Sequence, residues 1–298
     1  MDQNLENSFR EAGKIASKVR EQSKRLIMVG ESLLDIAETI EKMIIEEGGK
    51  PAFPVNISLN EIAAHYTPEF GSDQSLDETD VVKIDLGVEY ESALSDTAYT
   101  ISMDDKNNEL IKASEDALAK AISFMKPGVK VGEIGGVIEE EIKKYGFKPI
   151  SNLSGHMIKP NELHAGVEIP NVKTKDIYEL AVGDIFAVEP FATNGAGYVE
   201  DLQQVEIFSL HMPSKIRMRQ SRQIVEHALK NFGMLPFAER WIRKEFKSKL
   251  LVSAALKELL QNHFLRGYPV LRDARSGLVA QSEHTILIKE GGCEILTK

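Results

Sequence analysis

Four acidic residues stand in segments that otherwise read as buried strand. Asp85 closes the run Asp80-Val81-Val82-Lys83-Ile84-Asp85. Asp96 lies in a second strand-like run of about Ser92 to Ser102. Glu189 ends the apolar run Ile185 to Val188, and Glu283 follows Leu278-Val279-Ala280-Gln281-Ser282. An ionised carboxylate is costly to bury without a partner. A hairpin centred near Tyr90–Glu91 sets Asp85 directly opposite Asp96, with Cβ atoms about 5 Å apart. Two carboxylates at that distance repel unless a cation or a shared proton lies between them; the structural alternative is a register slip that sends one Asp to solvent. Four carboxylates can neutralise two divalent ions, which points to a two-metal site. Oxygen donors joined by one histidine suit Mn, Fe, Co or Zn. In a strand through Glu283, residues Gln281, Glu283 and Thr285 share one face and His284 points away. That makes His284 a hydrogen-bonding residue rather than a ligand.

The chain has seven histidines from which that ligand must come. His211, His227 and His263 fall at or within a basic helical segment and read as surface residues. His156 sits in Leu153-Ser154-Gly155-His156, a loop in which glycine permits close backbone approach. His65 and His164 lie in two similar segments, Glu61-Ile62-Ala63-Ala64-His65 and Glu162-Leu163-His164-Ala165. Spacing alone leaves His65, His156 and His164 equal candidates.

The elements that must position these residues occur twice. Phe9, Ala12, Ile15, Ala16 and Val19 predict a helix over Ser8 to Ile27. A second helix starts at Ser32, with Asp35 in the capping position, carries Leu33, Ile36, Ala37, Ile40 and Ile44, and stops at Gly48–Gly49. Lys50-Pro51 and then the Asp85 strand follow. About a hundred residues on, helices over Asn108 to Met125 and Val131 to Tyr145 lead to Lys148-Pro149. Asp184-Ile185-Phe186-Ala187-Val188-Glu189 then echoes Asp80 to Asp85. Two such halves predict a pseudo-twofold α+β domain, with helices on the outer face of a mostly antiparallel, curved sheet. A site at the junction would draw acids from both halves.

Charge marks one further boundary. Ser214 to Arg266 carries 12 Lys and Arg against 4 Asp and Glu, a net of +8 that leaves −18 on the rest of a chain whose total is −10. Helices are predicted over Ser214 to Asn231 and Glu239 to Gln261, with a turn at Gly233 to Pro236. The expected organisation is a catalytic domain of residues 1–209 and 267–298 interrupted by a basic helical insert, 210–266. The acidic total argues against nucleic-acid binding by the bulk of the protein. A single cysteine, Cys293, excludes an internal disulfide and a cysteine-based zinc cage. No apolar run of about 18 residues is present, so no membrane span is expected. Met1 to Arg10 lacks an apolar signal segment, and the expected location is the cytoplasm.

Six segments together resemble the type 2 methionine aminopeptidases: Pro51-Ala52-Phe53-Pro54-Val55-Asn56, Ala63-Ala64-His65-Tyr66-Thr67-Pro68, Lys83-Ile84-Asp85-Leu86-Gly87, Asn152-Leu153-Ser154-Gly155-His156, Glu189-Pro190-Phe191-Ala192-Thr193 and Glu283-His284-Thr285-Ile286. The resemblance covers nearly the whole chain. It implies the pseudo-twofold "pita-bread" fold with a helical type 2 insertion, and the short archaeal form without the charged N-terminal extension of eukaryotic members. It implies that His156 joins Asp85, Asp96, Glu189 and Glu283 in holding two divalent metals (Co, Mn, Fe or Zn). It casts His65 and His164 as catalytic and substrate-facing residues and Glu189 as a proton shuttle. It also suggests a methionine pocket of Phe53, Leu163, Tyr268 and Leu271, four residues that from sequence alone would read as core. The implied reaction is removal of N-terminal methionine from nascent chains, preferring a small second residue, by a metal-activated hydroxide attacking the first peptide carbonyl. The implied state is a monomer, with weak ribosome association through the basic insert. The rivals are a proline-specific peptidase of the same fold and a non-catalytic ribosome- or RNA-associated protein on the same scaffold.

Overall fold

The computed structural model describes residues 2–211 and 215–298. In the first half, α1 (Gln3–Ser23) is capped by Asp2, whose side chain accepts from Leu5 N–H at 2.8 Å. It starts before the predicted Ser8 and ends in a single 3-10 turn, Lys24–Leu26. Ser32 caps α2 (Leu33–Glu46) by accepting from Asp35 N–H at 3.3 Å, as the capping pattern predicts. Strands β1 (Lys50–Pro51), β2 (Asn56–Leu59), β3 (Ile62–Ala64), β4 (Val81–Tyr90) and β5 (Ala93–Ser102) follow. Alternation along β4 divides its duties. Val82, Ile84, Leu86 and Val88 pack with the apolar stripes of α1 and α2 in one core, which leaves Lys83, Asp85 and Gly87 to the opposite face.

The hairpin of β4 and β5 turns one residue later than predicted, at Glu91–Ser92, where both residues have positive φ (49° and 72°). That backbone resembles a two-residue primed turn, which usually carries Asn or Gly. Moving the turn centre by one residue moves each cross-strand partner by two. Asp85 therefore pairs with Ala98, and Asp96 with Gly87. The two aspartates are diagonal neighbours, not direct opposites, yet they keep the same face because the shift is even.

The second half repeats the plan with α3 (Asn108–Phe124), α4 (Val131–Lys144), β6 (Lys148–Pro149), β7 (Ser154–Met157), β8 (Glu168–Pro170), β9 (Ile185–Val188) and β10 (Phe191–Thr193). The chain then leaves through β11 (Val199–Leu210) into α5 (Arg219–Asn231), β12 (Phe237–Ala238), α6 (Glu239–Glu245) and α7 (Lys249–Gln261). It returns along β13 (Leu265–Asp273). The predicted helical start at Ser214 lies outside the described residues. The single helix predicted over Glu239 to Gln261 is two, because Ser248 starts α7 by accepting from Leu251 N–H at 3.4 Å. Helices α5 to α7 bury Ile224, Ala228, Ile242, Val252, Ala255 and Leu259 in a core of their own against Phe208 and Phe237. The β11–β13 ladder reaches Leu210 paired with Leu265, so Leu265 and Arg266 belong to a strand rather than to the insert helices.

The chain closes with β14 (Val279–Gln281), β15 (His284–Lys289) and β16 (Gly292–Ile295). Here the duplication becomes geometric. β14 pairs with β10 and β15 with β9, all antiparallel. Together they form an interrupted copy of the β4–β5 hairpin, whose short turn is replaced by residues 194–278. The interruption falls at Glu189–Pro190 on one strand and Ser282–Glu283 on the other, where Ser282 N–H still donates to Pro190 O at 3.3 Å. Proline has no N–H to offer the ladder, which accounts for the break at this position. Glu283 accordingly lies in a two-residue link, not within a strand as predicted. All named strand pairs are antiparallel, and the α3–α4 pair packs on the second half as α1–α2 does on the first.

Candidate metal centre

The inner faces of the two hairpins bring the four acids together with one histidine. Asp85 and Asp96 come from β4 and β5, Glu189 from the end of β9, and Glu283 from the link before β15. Of the three candidate histidines, His156 joins them. It lies in β7, not in a loop as predicted, and pairs with Ala187 of β9. The preceding Gly155 is required there: a Cβ on it would lie 2.3 Å from Ala187 O. One donor atom each from Asp96, His156 and Glu283 lies within 4.8 Å of the others. His156 Nε2 is 3.5 Å from Asp96 Oδ2 and 3.8 Å from Glu189 Oε1.

Several of these carboxylate oxygens lack partners. Asp85 Oδ1, Asp96 Oδ1 and both oxygens of Glu283 are buried and accept no hydrogen bond. Burial, then the charge of Asp96, push the Asp85, Glu189 and Glu283 carboxyls well above their ordinary range. Amides oppose this only locally: Asn56 and Gln281 at Asp85, and Gln281 Nε2 on Glu189 Oε2 at 3.4 Å. Buried polar atoms are normally satisfied. Here oxygen acceptors converge with an imidazole nitrogen and four of those oxygens meet no donor, which is what a divalent cation requires and what a hydrogen-bond network would not leave. The arrangement around the acids is held by side-chain-to-backbone bonds. Thr285 Oγ1 accepts from Asp96 N–H at 2.7 Å, and Thr97 Oγ1 donates to Glu283 O at 2.8 Å.

Beside the acids opens a small cavity of about 70 Å³ lined by Phe53, Leu163, Ile207, Pro236, Tyr268 and the histidines 65, 156 and 164, with Asn56 and Ala64. Three of the four predicted pocket residues line it. Leu271 does not: it packs with Ala64, Phe191 and Val199 in a neighbouring core, because a residue three along a strand from Tyr268 takes the opposite face. Ile207 and Pro236 were not legible in the sequence, since each reaches the cavity only through the β11–β13 ladder and the insert. Gly87 admits the Phe53 ring, whose nearest atom would lie 2.3 Å from a Cβ at that position.

His65 follows β3 with φ of 64°. Its Nδ1 lies 3.1 Å from Pro269 O, an acceptor only, so Nδ1 carries the proton and Nε2 is left with its lone pair. Burial holds its pKa below the ordinary value. His164 stands at the open side of the cavity, its ring 4.4 Å from that of His156 and 6.4 Å from that of Tyr268. Desolvation, with His156 and His65 beside it, also holds His164 below its ordinary value. The other histidines lie apart. His284 Nδ1 meets Thr297 Oγ1 at 2.9 Å, the hydrogen-bonding role predicted for it. His211 and His263 are exposed, while His227, predicted to be a surface residue, is half-buried between Phe232 and Phe246.

Comparison with known proteins agrees with this geometry. The methionine aminopeptidase of Methanocaldococcus jannaschii is 47% identical over 288 residues, covering 97% of this chain and 97% of that protein. Among solved structures, a thermophilic Arx1 superposes with a TM-score of 0.84 at 19% identity, covering 99% of this chain and 91% of that one. The methionine aminopeptidase of Thermotoga maritima superposes with a TM-score of 0.74 at 22% identity, covering 100% and 98%. At those identities the two structures speak for the fold. The family described as metallopeptidase family M24 matches residues 7–290, nearly the whole chain. With its ligand-like acids at the junction of two duplicated halves, this chain belongs to metallopeptidase family M24.

Proposed function

We propose that the chain removes the N-terminal methionine from newly made polypeptides, preferring a small second residue. The observation that carries this reading is the convergence of Asp85, Asp96, His156, Glu189 and Glu283, with their unpartnered oxygens, beside a cavity sized for one apolar side chain. The near-full-length identity to a protein named methionine aminopeptidase supports the same substrate. Those five residues would hold two divalent metals, which supply activated water near neutral pH and positive charge for a developing oxyanion.

The chain's own residues do the rest. Phe53, Leu163, Ile207 and Tyr268 give an unbranched, polarisable methionine side chain an apolar surround. His65 Nε2, with its lone pair exposed, accepts from the scissile amide N–H and holds it in place. His164, neutral at working pH, offers an N–H to the carbonyl oxygen as charge develops. Glu189, beside the cavity, carries the proton to the leaving amine. Residues 210–266 form a separate insert on this reading, and its positive charge favours weak contact with ribosomal RNA near emerging chains. The same reading places the protein in the cytoplasm as a monomer. Among the described residues no helix is long and apolar enough to cross a membrane.

Relative rates on Met-Ala and Ala-Pro peptides test the substrate assignment. Rapid release of methionine with little cleavage at proline is expected. The opposite preference would make the chain a proline-specific peptidase, and no cleavage of either would favour a binding protein on this scaffold.

A further inference from the structure

One buried carboxylate outside the acidic cluster ties together two walls of the cavity. Glu41, in the middle of α2, is 6% exposed. Its Oε1 accepts from Val55 N–H at 3.2 Å and from Arg240 Nη2, and its Oε2 accepts from Trp241 Nε1 at 2.9 Å. Arg240 is itself 1% exposed. Each partner adjoins a wall. Val55 sits between Phe53 and Asn56, both of which line the cavity. Arg240 and Trp241 begin α6, a few residues after Pro236, which lines it from the insert side. Leu235, in the same loop, packs with Phe53 and Leu163.

The loop from Gly233 to Pro236 is anchored on one side by Leu235 and is flanked by Phe232 and Phe237 of the insert core. Its far side faces a groove of about 1000 Å³ bounded by α2 and the insert, with Ile45, Leu229 and Met234 on its rim. A wall backed by open space takes its position from whatever tethers it. Between this loop and α2 the tethers are the Glu41 cluster and the surface pair Lys244–Glu38, at 2.9 Å, while β12 after the loop is held to β11 by the pairs Ile207–Ala238 and Phe208–Phe237. The surface pair is half-exposed and contributes little. The buried cluster satisfies one carboxylate with three donors from two different elements, and such networks hold geometry tightly.

We infer that Glu41 is a positioning residue for side-chain selection: by fixing the Val55 segment and the start of α6 to one point, it sets the distance between Phe53 and Pro236 and so the width of the pocket. The inference rests on the proposed methionine pocket. It touches neither the acids nor the histidines, so metal content and the chemical step should be spared when it is disturbed.

The test is selectivity in two mild variants. Glu41→Asp keeps the charge but withdraws the carboxylate by one methylene, so it no longer spans all three donors. Trp241→Phe removes one bond and leaves the ion pair intact. Cleavage of Met-Ala-Ser and Leu-Ala-Ser peptides is measured alongside metal content by atomic spectroscopy. Glu41→Asp is expected to lower the Met-to-Leu ratio of kcat/KM at least five-fold, mainly through a higher KM for Met-Ala-Ser, with kcat and bound metal near those of the parent. Trp241→Phe is expected to shift the ratio in the same direction by a smaller factor. A merely structural Glu41 would lower the melting temperature and leave the ratio alone; an unchanged ratio in both variants overturns the inference. If the parent itself prefers another first residue, the methionine assignment fails separately. The ratio of that residue to one of different width then tests the clamp.

Discussion

Glu206 lies in β11 one residue before Ile207, which lines the cavity, and it is a residue whose charge the fold resists. Burial, with Glu69 and Glu239 nearby, pushes its carboxyl up to about 8 from an ordinary 4.5. The sign of the consequence follows from linkage. Below pH 4.5 folded and unfolded chains both hold the proton. As pH rises from there to 8 the unfolded chain releases it and the folded chain does not, so stability falls across that window. Glu206→Gln should therefore be more stable than the parent at pH 8, by about 2–4 kcal/mol on the scale of 1.4 kcal/mol per pH unit. The gap should close by pH 4; urea melts at the two pH values check it. Residue-level reading of the sequence is most informative where chemistry and pattern conflict. An acid in an apolar strand announces itself, as Asp85, Asp96 and Glu189 do. His156 gave no such sign, because its approach to Asp96 depends on β7 pairing with β9, a contact between distant segments that local spacing does not encode. Glu206 was missed for a related reason: its acidic neighbours come from residues 69 and 239.

At the scale of elements, the duplicated helix–helix–strand order was legible because each helix carries its own stripe and stop signal. The hairpin register was not, since Glu91 and Ser92 take positive φ without the Gly or Asn that would mark the turn. The error was harmless to the site, because a two-residue slip preserves the face. Gly87, now opposite Asp96, matters more than the sequence suggested. Gly87→Ala forces a Cβ against the Phe53 ring, which belongs to one packed cluster with Leu163, against which Leu235 also packs. Overpacking of this kind costs about 1–3 kcal/mol. The ring's displacement should raise KM for Met-Ala-Ser several-fold with bound metal unchanged. Denaturation and steady-state kinetics on the one variant check both expectations, and a wild-type KM would show that Phe53 does not contact the side chain. The break at Glu189–Pro190 and Ser282–Glu283 was half legible: Pro190 marks it on one strand, and nothing in Ser282-Glu283 marks it on the other.

For the whole molecule, composition marks a basic helical segment, whereas its join to the rest had to be seen. The β11–β13 ladder carries the chain out and back, and α6 meets α2 through Glu41, so the basic segment reaches the cavity through Pro236. Its +8 charge predicts ribosome co-sedimentation that weakens steeply as salt rises. Binding indifferent to salt would exclude electrostatic docking. The central claim is that Asp85, Asp96, His156, Glu189 and Glu283 hold the metals. It is tested most directly by stripping the protein with chelator, adding back Mn or Co, and following methionine release from Met-Ala-Ser beside metal content. The stripped protein should be inactive and regain turnover as metal binds. Glu283→Ala should fold, bind less metal and lose at least about 10²–10³-fold in turnover, the scale of removing one principal electrostatic contributor. Full turnover in the stripped protein, or near-normal turnover in Glu283→Ala, would contradict the account.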